Sequence, residues 1–246
     1  MVNRSWTEWK NNTIIKKEKT IMEIRLLKKV PIFSSLTEDD LERIAEFFIS
    51  RHCKADQIIV VEEESGQALF LIKKGSVKVS HVSDDGREVI LSILKSGDFF
   101  GEISLLDGKG RSANVITLEE TQLMMLRRQD FLELIEQYPQ ISIGLLKELA
   151  GRIRKSDTHI SSLSLKDAMG RVSTALVHVA EKTGRKRGEA MIIPKIPVQQ
   201  DLANMAGTAR ETISRVMAHF EQTGCIEKEG HRVIIKEFEK FKQKFC

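Results

Sequence analysis

The chain has 246 residues, 41% of them hydrophobic and 30% charged, with a formal net charge of +4. That length admits two domains, and that balance belongs to a globular protein rather than a disordered or fibrous one. No apolar run approaches the roughly 20 residues that span a bilayer and no signal-peptide core is visible, so a cytoplasmic protein with no membrane partner is expected.

Cys53, Cys225 and Cys246 share no CxxC spacing, which argues against a disulfide framework, a metal centre or an iron–sulfur cluster. The positive charge is unevenly placed. Residues 166–246 hold 15 Lys/Arg against 10 Asp/Glu, while residues 1–165 hold 24 of the chain's 39 against 25 of its 35. Such an excess suits a part that meets a polyanion, although a solvated basic face gives the same count.

Residues 1–21 are polar and lysine-rich without periodicity, and read as a flexible tail or as sequence upstream of a true start at Met22. Residues 22–48 have amphipathic helical spacing, with Thr37 as N-cap ahead of Glu38, Asp39 and Asp40. Between residues 57 and 126, short apolar runs (QIIVV, ALFLI, SVKVS, EVILSIL, ANVIT, QLMML) alternate with Gly66, Gly75, Asp85-Gly86, Gly97 and Gly108/Gly110. Short strands with glycine turns imply a β-sandwich or barrel.

Within it, FGEISLLDGKGRSANV, Phe100 to Val115, gathers the groups that hold a cyclic phosphodiester. Gly101 lets backbone approach a ligand, and a turn of helix from Glu102 to Leu106 aims N–H groups at an anion. Arg111 offers a planar fork for two phosphate oxygens, Ser112 a hydroxyl, and Glu102 an acceptor for a ribose hydroxyl. The competing reading is a structural Glu102/Arg111 ion pair beside a glycine turn.

Helical spacing resumes from Arg127 to Gln137. After Pro139, the residues Leu146, Leu149, Ile153, Ser156, Ile160 and Leu163 recur at intervals of three and four, a coiled-coil seam. About 26 residues give roughly 39 Å of helix, more than a small domain buries alone, so a parallel homodimer is expected, the alternative being a helix packed on its own barrel. The polar Ser156 in that seam can fix register.

Lys166/Asp167 reads as a hinge before a helix reaching about Lys182. The basic loop GRKRGE, Gly184 to Glu189, is either solvated or a surface for RNA polymerase or DNA phosphate. The domains expected are therefore a tail over 1–21, a ligand-binding domain over 22–138, a dimerisation helix and hinge over 139–166, and a further domain over 167–246 that holds the basic excess.

QQDLANMAGTARETISRV, Gln199 to Val216, has the form helix, glycine turn, helix, with Gly207 at the turn and Thr208/Glu211 as a capping box for the second helix. Ile213, Val216, Met217 and Phe220 form one apolar stripe, which directs Glu211, Ser214 and Arg215 outward with Arg210 on the flank. Long polar residues there suit a major-groove reader, since Arg donates twice to guanine and Glu accepts from cytosine; Glu211 can instead serve the cap. A hairpin around Lys228 to Arg232 reads as a wing whose tip touches backbone phosphate.

FGE, with nine residues from Glu102 to Arg111 and then RSA, resembles the phosphate-binding cassette of cyclic-nucleotide-binding domains. RETISR resembles the recognition helix of the cyclic AMP receptor/fumarate-nitrate regulator (Crp/Fnr) family. The resemblance covers residues 25 to about 236. It implies an α+β protein: an N-terminal β jelly-roll cyclic-nucleotide-binding domain, a long dimerisation helix and a C-terminal winged helix-turn-helix domain.

It also implies ligand contacts from Gly101, Glu102, Ile103, Arg111, Ser112 and Ala113. Ser156 and Asp157 stand where the family has two hydroxyl residues that reach the base, one from each subunit. Asp157 departs from that pattern. The resemblance favours cyclic AMP, with cyclic GMP second because a carboxylate accepts two parallel donors from guanine.

On double-stranded DNA it puts Arg210, Glu211 and Arg215 at base-reading positions, with Thr208, Ser214 and Arg232 beside them, and a TGTGA-like inverted repeat as operator. With no nucleophile/base pair or metal cluster, catalysis is not expected. The chain thus reads as an allosteric transcription regulator. The alternatives are a ligand-independent or differently triggered member of the family, or a nucleotide-binding signalling subunit without DNA binding.

Overall fold

The structure, a computed structural model, describes residues 22–246; the tail expected over 1–21 lies outside them. Two compact units emerge, residues 22–77 with 94–152 and residues 78–93 with 153–246.

The first unit opens with helix α1 over residues 22–29 and helix α2, Glu38–Ala45. Thr37 caps α2 as expected: its hydroxyl accepts from the Asp40 amide, and the Asp40 carboxylate accepts from the Thr37 amide. Strands β1 (Ile49–Cys53), β2 (Ile58–Val60) and β3 (Ala68–Lys74) follow. The hairpin strands β4 (Ser76–Val82) and β5 (Glu88–Lys95) lie mostly in the second unit. The chain then returns through β6 (Phe99–Phe100), α3 (Glu102–Asp107), β7 (Asn114–Thr117), β8 (Thr121–Arg127), α4 (Arg128–Gln137) and the first half of α5 (Pro139–Leu165).

One antiparallel sheet runs β1-β8-β3-β6, and β2 pairs antiparallel with β7. Residues 68–72 are buried throughout, so β3 is covered on both faces. Leu69 and Leu71 pack into a core with Leu27, Phe33, Leu41, Phe131, Ile141 and Leu145. The intervening Phe70 points to the other face, as strand alternation requires, and stacks on Phe100 at 5.1 Å. Alternation along β3 thus puts Leu69 and Leu71 in the helix-covered core and Phe70 beside Phe100 and Arg111.

In the second unit, helices α6 (Ala168–Thr183), α7 (Gln199–Ala206), α8 (Arg210–Gln222) and α9 (Phe238–Phe245) surround the antiparallel sheet β11-β12-β10-β9. Its strands are β9 (Arg185–Arg187), β10 (Ala190–Ile193), β11 (Ile226–Glu229) and β12 (Arg232–Ile235). Asp167 caps α6 through the Gly170 amide. The β4–β5 hairpin is tied to α7 by Lys78, which pairs with Glu88 at 2.7 Å and Asp201 at 3.6 Å, and by Asn204 donating to Glu88 at 3.0 Å.

Two local expectations are corrected. GRKRGE is not a plain loop, because Arg185–Arg187 pairs with β10 as the edge strand of the sheet. The Thr208/Glu211 capping box does not form: Ala209 occupies the N-cap and offers no side-chain acceptor, while the Thr208 amide bonds back to Ala203. The helix starts one residue later than the box requires, so Glu211 falls in its first turn.

Among the described residues, no helix is long and apolar enough to cross a membrane, and no cluster of three or more His, Cys, Asp or Glu could hold a metal ion. All three cysteines are free, and burial pushes the Cys53 thiol up, against a smaller opposing pull from Arg51.

Candidate functional site

Gly101 ends β6 with φ 87° and is the N-cap of α3. A Cβ there would lie 2.5 Å from Arg111 Nη1 and 2.9 Å from the Ala68 carbonyl oxygen, so this position excludes any side chain on two counts. Arg111, 8% exposed, comes in from the loop before β7 and threads its guanidinium into that space. Nη1 donates to the Gly101 carbonyl at 2.8 Å and to Ser104 Oγ at 3.0 Å; Nη2 donates to the Ala68 carbonyl at 2.8 Å. The group also sits 5.9 Å from the centre of the Phe70 ring.

These acceptors are neutral. Burial pulls the guanidinium pKa down, and the nearby charge of Glu102 partly restores it. A buried cation cradled by carbonyl and hydroxyl dipoles is an anion site in waiting.

Glu102 is 1% exposed, and its partner is Arg152 from α5. Arg152 Nη1 donates to Glu102 Oε1 at 2.6 Å, Nη2 donates to the Phe99 carbonyl at 2.7 Å, and the guanidinium stacks 4.7 Å from the Phe99 ring. Glu102 Oε2 is buried with no hydrogen-bond partner among the described residues. A buried carboxylate oxygen left in that state is costly unless a donor arrives, and a sugar hydroxyl is such a donor.

The structure therefore brings together Gly101, Glu102 and Arg111, with Ala113 buried beside them in sequence. Ser112 and Ile103 are exposed. Ser156 and Asp157 lie on the second half of α5, in the other unit, and both are exposed. Sequence reasoning missed Arg152 and Ser104. Arg152 adjoins the seam residue Ile153, and nothing in its spacing separates it from a solvated arginine; Ser104 was read only as part of a helical turn.

In the second unit, α7 ends at Gly207 with φ 56°, where a Cβ would lie 2.8 Å from Leu163 Cδ2, and α8 then crosses back. Ile213, Val216, Met217 and Phe220 are buried as the stripe predicts. Phe220 stands 5.1 Å from Phe241 and 5.0 Å from Phe245, so α9 backs the helix with aromatic rings. Arg210, Glu211, Ser214 and Arg215 are exposed, and Thr208 is half-buried.

Gln199, also missed in sequence, accepts from Ser214 Oγ at 2.9 Å and, at a long 3.5 Å, from Arg210 Nε. The wing β11–β12 turns at Gly230, φ 61°. Its cations carry surface partners, Arg232 with Glu229 at 3.0 Å and Lys228 with Glu221 at 3.6 Å, pairs weak enough to exchange for a phosphate.

A cassette of this form followed in the chain by a helix-turn-helix head combines a ligand-binding domain with a DNA-binding one. Residues 50–138 match the cyclic nucleotide-binding domain, and residues 170–244 match the Crp-like helix-turn-helix domain. The chain is 32% identical over 212 residues to the cyclic AMP receptor protein of Thermus thermophilus, covering 86% of this chain and 94% of that protein. It is also 32% identical over 182 residues to the CRP-like cAMP-activated global transcriptional regulator of Mycobacterium tuberculosis, covering 74% of this chain and 81% of that one.

The structure of FixK2 from Bradyrhizobium japonicum is similar with a TM-score of 0.72, covering 81% of this chain and 98% of that one; at 21% identity the likeness shows the fold alone. The chain belongs to the Crp/Fnr family of transcription regulators.

Proposed function

We propose that the protein is a homodimeric transcription regulator in which a 3′,5′-cyclic nucleotide binds the Glu102/Arg111 cassette and biases two winged helices toward an inverted-repeat operator with TGTGA-like half-sites. The observation that carries the reading is the pairing of unmet needs in one place: a buried guanidinium with neutral partners and, beside it, a buried carboxylate oxygen without a donor. A phosphate would meet the first and a ribose hydroxyl the second. Two arginines against one glutamate leave the cluster with one net positive charge, and a cyclic phosphodiester brings one negative charge.

The names of the relatives favour cyclic AMP, and the carboxylate of Asp157 keeps cyclic GMP as second choice. Exposed Arg210, Glu211 and Arg215 read bases, while Thr208, Ser214 and Arg232 support them from the turn, the helix and the wing. Double-stranded DNA, a second copy of the chain and RNA polymerase are the proposed macromolecular partners, in the cytoplasm and without catalysis. Calorimetric titration of the full chain with cyclic AMP and with cyclic GMP tests the reading. Micromolar or tighter heat from one of them is expected; flat traces from both would overturn the ligand assignment.

A further inference from the structure

We propose that Ser104 is a positioning residue for the phosphate-binding arginine, holding the Arg111 fork in its working orientation before any ligand arrives. The proposal rests on reading the cassette as a cyclic-nucleotide site.

An arginine has five N–H donors in a fixed plane. Here both hydrogens of Nη1 are committed, one to the Gly101 carbonyl and one to Ser104 Oγ, and one hydrogen of Nη2 goes to the Ala68 carbonyl. Among the described residues, Nε and the second Nη2 hydrogen have no acceptor and remain for a ligand. Of the three acceptors, two are backbone carbonyls that any sequence with this fold supplies. Ser104 contributes the third through its side chain, so its hydroxyl is where substitution can loosen the fork without altering the chain trace.

Ser104 Oγ also donates to the Gly101 carbonyl at 3.4 Å, closing a ring of hydrogen bonds among Arg111, Ser104 and Gly101. The residue is 3% exposed. Space for this ring depends on Gly66: a Cβ there would overlap Ser104 Oγ and lie 3.1 Å from Arg111 Cζ. Ser104 thus has a role distinct from that of Ser112, which is exposed. With the fork preset, binding does not have to order a long side chain. Removing the hydroxyl returns that ordering cost to the binding step.

The experiment compares wild type with Ser104→Ala in two readouts. Calorimetry with cyclic AMP is expected to show about a three- to tenfold loss of affinity in Ser104→Ala. Nitrogen-15 NMR of the unliganded proteins is expected to show restricted rotation of the Arg111 Nη groups in wild type and averaged signals in Ser104→Ala. Unchanged affinity would overturn the proposal. So would reduced affinity with an unchanged Arg111 signature, since the serine would then act only through the packing of α3. Wild type that binds neither cyclic AMP nor cyclic GMP would instead overturn the cassette reading itself.

Discussion

Arg111 concentrates the chemistry of the site in one side chain. Its burial is tolerable because three acceptors receive its hydrogens, yet none of the three cancels its charge. Arg111→Leu removes the cation and the hydrogen bonds it gives to the Gly101 and Ala68 carbonyls, so binding should weaken by about 2 to 5 kcal/mol, enough to erase the calorimetric signal. Wild-type-like heat from that variant would place the ligand elsewhere. At the reading head the corresponding residue is Arg215, exposed on the outer face of α8. Arg215→Ala should cost about 1 to 3 kcal/mol and relax preference at a single base pair. Binding-site selection would detect this. An even loss across all operator variants would mean that Arg215 grips the phosphate backbone.

At the scale of elements, α5 and α6 each carry a histidine whose Nε2 is buried without a hydrogen-bond partner among the described residues, His159 and His178. Burial depresses both below the ordinary value of 6.5; for His178, Lys182 and Lys155 push the same way, Glu181 opposes them and His159 adds a smaller push. The unfolded chain therefore takes up protons first as pH falls, and stability declines through the unfolded value toward the lower folded ones. The thermal midpoint should fall by a few degrees between about pH 7.5 and 5.5, and His178→Phe should shrink that fall. An identical fall in the variant would show that His178 is protonated equally in both states.

The same elements show what a sequence reveals. Thr37, the glycine-punctuated strands and the α7–Gly207–α8 turn were legible because their signals are local: a cap, a turn and a period. β1, with only Cys53 of its five residues buried, and β9, exposed at all three positions, carry no apolar alternation. They are strands because neighbours pair with them across space. The Glu102/Arg152 pair was illegible for the same reason, since 50 residues separate its partners and only the fold joins them.

For the whole molecule, α5 carries an apolar row that the described residues leave largely uncovered. Leu146, Ile153 and Ile160 are 66%, 61% and 61% exposed and stand seven residues apart, with Leu163 three further on, whereas Leu149 of the expected seam is half-buried against the core of the first unit. The proposed function assigns this row on the 27-residue helix to a second copy in parallel register, which would also supply the second reading head that an inverted repeat requires. Ile153→Glu tests assembly and DNA binding together. Two carboxylates set face to face in an apolar seam cost several kcal/mol each, so dimer affinity should fall by about a thousandfold or more. Sedimentation should then report monomers, and binding to the inverted repeat should drop to the level of a single half-site, because each head remains intact while the link between them is gone. A persisting dimer would move the interface off this seam. Monomers that still bind the full repeat tightly would break the link between dimerisation and operator recognition on which the proposed function depends.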